Sequence, residues 1–264
     1  MVTLVVVVLL AGGVGIWALV VHHHTPNPRC SVVALGSAPG ADAVLFVLSP
    51  QQADNAATIA GVGIRLGMPD HAVTVALATA LQESGLSNLS GGDRDSAGLF
   101  QQRPSQHWGT ASQVRDPVYA STAFYQRLRQ QPDWQQISVT EAAQLVQHSA
   151  APTAYADWEP EARSLAAALT GERHGTLSCS DLTITAPSQS LVDTAADELG
   201  TSRLSGGHST GRGWAIASWL VAHSSRLGVD RVSFQGRTWT ASSGSWTRTS
   251  PADAVLALHQ VPSR

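Results

Sequence analysis

Glu83 closes an apolar run, Ala72-Val73-Thr74-Val75-Ala76-Leu77-Ala78-Thr79-Ala80-Leu81, and is followed by Ser84-Gly85-Leu86. A carboxyl at the end of a buried helix is costly as an anion, so its pKa is expected to rise toward neutrality. A carboxyl that stays protonated near neutral pH can serve a glycosidic oxygen as its general acid. Two further carboxyls, Asp93 and Asp95, follow in Gly91-Gly92-Asp93-Arg94-Asp95. Asp in a Gly-rich stretch is favoured by turn geometry alone, whereas a second carboxylate near a general acid would aim a water or bond covalently to the sugar. Both roles stay open for the pair.

These residues need elements to hold them. Ser49-Pro50-Gln51-Gln52 reads as a capping box with Pro at the first helical position, opening a helix to about Leu66 that Gly67 and Pro69 stop. Asp70 starts the next helix, which carries Glu83. The polar segment from Gly85 to Gly109 is long for a loop inside a compact domain, and such loops tend to be functional. Asp116-Pro117 opens a third helix through Arg129, Ser138-Val139-Thr140-Glu141 is a second capping box, and Trp158-Glu159-Pro160-Glu161 starts a last helix ending at Gly171. Ala43 to Leu48 is a short strand leading in.

Glu83-Ser84, the polar loop and then Gly98-Leu99-Phe100-Gln101-Gln102 together resemble the lysozyme-like fold of lytic transglycosylases and goose-type lysozymes, whose pattern is Glu-Ser followed by Gly-Leu-Met-Gln. Phe100 replaces the Met. Tyr155, in Ala154-Tyr155-Ala156, stands where the family has Ala-Tyr-Asn, with Ala156 in place of the Asn. Gly92 to Gly109 resembles more closely a cell-envelope subset from actinobacteria, and the likeness runs from about Ser49 to Gly171. It implies Glu83 as the catalytic acid/base on the MurNAc-GlcNAc bond of peptidoglycan. It also implies Gln101 and Gln102 in the sugar cleft, Ser84 orienting the acid or the glycan, and Tyr155 either near the reacting centre or packed in the core. Lytic and hydrolytic outcomes both remain open, with Asp93 and Asp95 as candidates for the second carboxylate. Trp108 and Trp158 are sugar platforms or ordinary packing.

The 264-residue chain has a formal net charge of −3, and all 16 of its basic side chains are Arg. No basic stripe appears, which excludes nucleic acid as the main partner. Val2 to Val21 is apolar and long enough to span a bilayer. An uncleaved transmembrane helix is the expectation, with a cleaved signal as the alternative and a buried core helix behind both. The main domains would then sit on the extracytoplasmic side of the membrane, or be secreted. His22-His23-His24 reads as spacer, since three consecutive residues cannot face one site. Cys30 and Cys179 bracket the lysozyme-like stretch, and an exported chain would pair them.

Gly175 to Ser190 is rich in Thr, Ser, Asp and Pro, as in a linker. Beyond it, residues 191–199 and 214–223 read as helices, residues 231–241 as a hairpin, and residues 254–258 as a strand. Gly206-Gly207-His208 through Ala215 resembles the Ser-x-His-x-x-Gly-x-Ala-x-Asp segment of zinc D-alanyl-D-alanine carboxypeptidases. Ala215 occupies the metal-binding Asp position, so the module is expected to hold no metal. The expected organisation is mainly α: an anchor and linker over 1–28, a lysozyme-like helical domain over 29–179, a linker over 180–189, and a small α+β domain over 190–264. The favoured function is a peptidoglycan-cleaving enzyme using no cofactor. A non-catalytic wall binder and a structural envelope protein are the alternatives.

Overall fold

Ser49 starts the helical part through a reciprocal cap: its hydroxyl accepts from Gln52 N–H while the Gln52 side chain accepts from Ser49 N–H. The computed structural model describes residues 27–37, 43–149, 151, 153–249 and 254–262, with the backbone of Leu4–Val7 and Ala18–Val21. Helix α1 (Pro50–Arg65) leads to α2 (Asp70–Ser84), which is buried at every position from Ala72 to Leu81. Around α2 pack α1, α3 (Pro117–Leu128), α4 (Val139–Gln147) and α5 (Glu159–Leu169). A helix whose middle turns are apolar on nearly every face belongs at the centre of such a bundle, because none of those faces can be given to water.

The chain is not mainly α, and no helix among the described residues spans a membrane. In the N-terminal apolar run, β1 (Leu4–Val7) and β2 (Ala18–Val21) pair antiparallel, Leu4 opposite Val21 and Val7 opposite Ala18. The rest of that run lies outside the described residues. Consecutive β-branched valines favour strand over helix, and hydrophobicity alone does not distinguish the two. No described helix is long and apolar enough to cross a membrane.

Two antiparallel sheets complete the mixed α and β architecture. The first has β3 (Arg29–Val33) between β4 (Leu45–Leu48) and β5 (Leu177–Ser180). It joins the two ends of the helical part, and in it Cys30 lies directly opposite Cys179. The two are disulfide-bonded across a sequence separation of 149 residues. Replacing both by Ser is expected to cost about 2–5 kcal/mol, because so long a loop is no longer closed in the unfolded chain. Urea unfolding of the double variant beside wild type measures this.

The second sheet has the order β6 (Gly206–Gly207), β10 (Val255–Gln260), β7 (Val229–Phe234), β8 (Arg237–Thr240), β9 (Trp246–Arg248). Helices α6 (Leu191–Leu199), α7 (Thr210–Ala222) and α8 (Ser224–Leu227) accompany it. Sequence patterning makes α7 a helix, and its surroundings bury it from Gly213 to Ala222. It lies between β7 and the α1, α5 and β5 side of the helical part. Close approach is needed there: Gly171 has φ +81°, and a Cβ on it would sit 2.0 Å from Gly211 O. Trp239 and Trp246 donate their indole N–H groups to Cys179 O and Leu177 O, at 3.1 and 2.9 Å. Residues of 29–179 and of 190–264 thus share one hydrophobic cluster, from Cys30 to Leu256.

Candidate active site

Glu83 sits in the last turn of α2, where the helix leaves the core; Gly85, in the left-handed region at φ 58°, ends it. Burial raises the carboxyl's pKa above its ordinary value, and hydrogen bonds from Tyr155 and Gln147 pull the other way without cancelling it. The C-terminal end of a helix dipole also disfavours an anion. Tyr155 is fully buried on the 3₁₀ turn Ala154–Trp158 and donates its hydroxyl to Glu83 Oε1 at 2.9 Å. Burial, and then the Glu83 charge, push the Tyr155 phenol up, so it remains a donor at any working pH. The result is a carboxyl that is partly desolvated, oriented by one fixed donor and biased toward its acid form.

The loop after α2 is strapped to this corner. Ser84 Oγ donates to Leu99 O at 2.7 Å and to Ala80 O at 3.0 Å. Gln147 Nε2 donates to Phe100 O at 2.8 Å, so one amide braces both the loop and the Glu83 surroundings. Gly98 has φ +79°, and a Cβ there would lie 2.0 Å from Val114 O. Phe100 is fully buried and stacks on Phe124 at 4.7 Å between ring centroids.

The other sequence candidates divide sharply. Gln101 has φ 47° and turns inward on its own loop, accepting from Ser96 Oγ at 3.0 Å and donating to Gly98 O at 3.1 Å. Gln102 is 1% exposed and donates to Ala120 O at 3.0 Å, so it fixes the loop to α3 instead of lining a sugar cleft. Hydrogen bonding to backbone and to neighbouring side chains claims both amides, whose sequence position alone suggests a ligand. Asp93 is exposed at a turn, its carbonyl accepting from Ser96 N–H and its carboxylate 3.8 Å from Arg94 Nε. Asp95 accepts from Ser105 N–H at 2.7 Å and from Arg103 at 2.9 Å, contacts that in that order lower its pKa to about 2. Both are placed as loop-formers, and neither is brought into contact with Glu83.

Trp108 is buried under the Arg127 guanidinium, 3.7 Å from the ring centroid, and serves as packing. Trp158 is half-buried and donates to Gln82 Oε1 at 2.7 Å, next to Glu83 in sequence. Sequence reasoning missed Gln147. Its one signal is position: it follows Val146 on a helix whose Val139, Ala142, Ala143 and Val146 face the core. In the C-terminal part, His208 Nε2 is buried without a described partner, and Ala215 is 2% exposed within α7.

A polar cavity of about 380 Å³, framed by α1, α6, the start of α3 and Arg226, does not include Glu83 in its wall. Within this chain, residues 192–259 match the family model described as VldE, C-terminal domain. No curated protein matches the chain.

Proposed function

We propose that this chain is a peptidoglycan-cleaving glycosidase of the lysozyme-like kind, acting on the MurNAc-GlcNAc bond through Glu83. The observation that carries the reading is the Tyr155 hydroxyl held on a partly buried Glu83 carboxyl whose pKa burial raises. Such a carboxyl is poised to donate first and accept later. Protonated Glu83 gives its proton to the bridging oxygen as the C1–O bond breaks. The resulting carboxylate, steadied by Tyr155, takes the proton of the MurNAc 6-hydroxyl as O6 bonds to C1 and closes a 1,6-anhydro ring. Asp93 and Asp95 are engaged in turns and in the Arg103 clasp, which favours this single-carboxyl, lytic route over hydrolysis through a second carboxylate. The Cys30–Cys179 disulfide favours an exported protein acting in an oxidising compartment.

Ala156 favours a second reading, a wall binder without turnover. It is exposed at the position where the resembled family has Asn, and its methyl can make no hydrogen bond to a sugar. Digestion of purified peptidoglycan followed by mass spectrometry separates the two. Anhydro-muropeptides, from wild type and equally from Asp93→Asn and Asp95→Asn, are the expected products. Reducing-end products that disappear in either Asp variant would instead establish a muramidase. Binding to the sacculus with no product would establish the wall binder.

A further inference from the structure

Helix α4 ends against both groups of the Glu83 site. Its last residue, Gln147, is fixed from either side: Val146 before it is buried, and His148 after it takes φ 52° and closes the helix on Gln144 O. The Gln144 amide then holds Ser149 O at 2.9 Å, so the chain leaving the helix is pinned as well. From this fixed point the half-buried Gln147 side chain donates through Nε2 to Phe100 O at 2.8 Å. Two residues further on, the Ser149 hydroxyl reaches Tyr155, the donor to Glu83 Oε1. Ser149 Oγ also accepts from Ala151 N–H at 3.1 Å.

A primary amide carries two N–H donors on one planar nitrogen. Gln147 spends one on Phe100 O and leaves the other for the Glu83 carboxyl, whose charged form it favours. The two acceptors belong to different pieces of the chain: Glu83 to the end of α2, and Phe100 to the loop over residues 85–109. The loop's other strap runs from α2 itself, Ser84 Oγ donating to the neighbouring carbonyl, Leu99 O, at 2.7 Å. Only the Gln147 strap places the loop's donor and the acid's donor on the same nitrogen. A loop that lifts takes Phe100 O away, and the freed amide can rotate off the carboxyl.

We infer that Gln147 is a positioning residue of the Glu83 site: one amide, fixed at the end of α4 and shared between Phe100 O and the Glu83 carboxyl, sets the acid only while the loop is seated. The inference rests on the proposed role of Glu83 for its use in catalysis, but the link itself is read without turnover. Carbon-13 NMR of the Glu83 carboxyl in the full chain, assigned by its loss in Glu83→Gln, follows the acid. Hydrogen exchange at the Ala97 and Gln102 amides, each bonded to the other's carbonyl at 3.1 Å, follows the loop. In Gln147→Leu the carboxyl is expected to titrate at higher pH than in wild type, since its anion loses a donor, and the two amides to exchange about tenfold faster. Gln147→Asn, one methylene too short to keep both bonds, is expected to move both readings the same way, and it replaces the Leu variant should that fail to fold. Faster exchange with an unmoved Glu83 titration would make Gln147 a brace for the loop alone and overturns the inference. A moved titration with unchanged exchange would make it a partner of the acid alone and overturns it equally. Both shifts, in a protein that releases nothing from peptidoglycan, would end the glycosidase reading and leave the link in place.

Discussion

Glu83→Gln is expected to reduce glycan cleavage by at least about 10²–10⁴-fold while leaving the fold intact, because the amide can neither donate a proton to the leaving oxygen nor accept one afterwards. The substitution keeps an acceptor for the Tyr155 hydroxyl, which bonds Glu83 Oε1 at 2.9 Å, so thermal unfolding should barely change. Tyr155→Phe gives the complementary result. Its hydroxyl lowers the Glu83 pKa against the raising effect of burial; removing it should let that pKa climb further. A general acid works while protonated, so the alkaline limb of the pH–rate profile should move to higher pH in Tyr155→Phe. The rate at the optimum should fall, because the carboxylate formed in the first step loses its donor. A pH profile that stays in place while the rate falls would mean that Tyr155 acts through packing alone.

How far this corner could be read in advance depends on the range of the forces that build it. Helix starts are local, and Ser49 and Ser138 announce theirs through capping boxes that span four residues. Glu83 is legible for the same reason, as the polar end of an unbroken apolar helix. The Tyr155–Glu83 bond joins residues 72 apart, and only a family resemblance puts the tyrosine near the acid. Gln147 had no such help. Gln101 bonds within its own loop and Gln102 bonds Ala120 O on α3, because an amide satisfies nearby backbone as readily as a ligand, and the sequence carries no sign of which.

The strands were harder still. Arg29–Val33 and Leu177–Ser180 are five and four residues long, too short for a period-two pattern to declare itself. What makes them strands is their pairing with one another at Cys30 and Cys179. The valines of β1 and β2 satisfy a hydropathy test for a spanning helix and the steric preference of a strand at once, and length alone favours the wrong choice.

The buried charges between the two parts of the chain are expected to produce the largest stability effect. His223 is fully buried; Asp54 accepts from its Nδ1, and Glu198 Oε2 lies 2.9 Å from its Nε2. Arg226 bridges the same carboxylates, at 2.8 Å to Asp54 and 3.0 Å to Glu198, and Trp219 Nε1 donates to Glu198 Oε2 at 2.8 Å. Burial alone would discharge the imidazole, but the two carboxylates outweigh it and raise its pKa from 6.5 to about 9. Burial likewise opposes ionisation of Asp54 and Glu198, and the two cations lower both pKa values in spite of it. His223→Gln should therefore cost about 3–5 kcal/mol at pH 6, the usual penalty for stripping one partner from a buried ion network. Its sign with pH is fixed by linkage. The imidazolium's contribution is complete below 6.5 and lost as pH rises through about 9. The carboxylates' contribution is complete above their ordinary values and lost as pH falls through their lowered ones. Wild type should thus lose stability between pH 6.5 and 9.5 more steeply than His223→Gln, and chemical denaturation across that interval reads the difference directly. Because Asp54 belongs to α1 and its partners His223 and Arg226 to the C-terminal part, the same variant should also separate the unfolding of the two parts. Parallel pH curves for wild type and variant would mean that His223 is neutral and that hydrophobic contact alone, through Trp214, Trp219 and α1, holds the parts together.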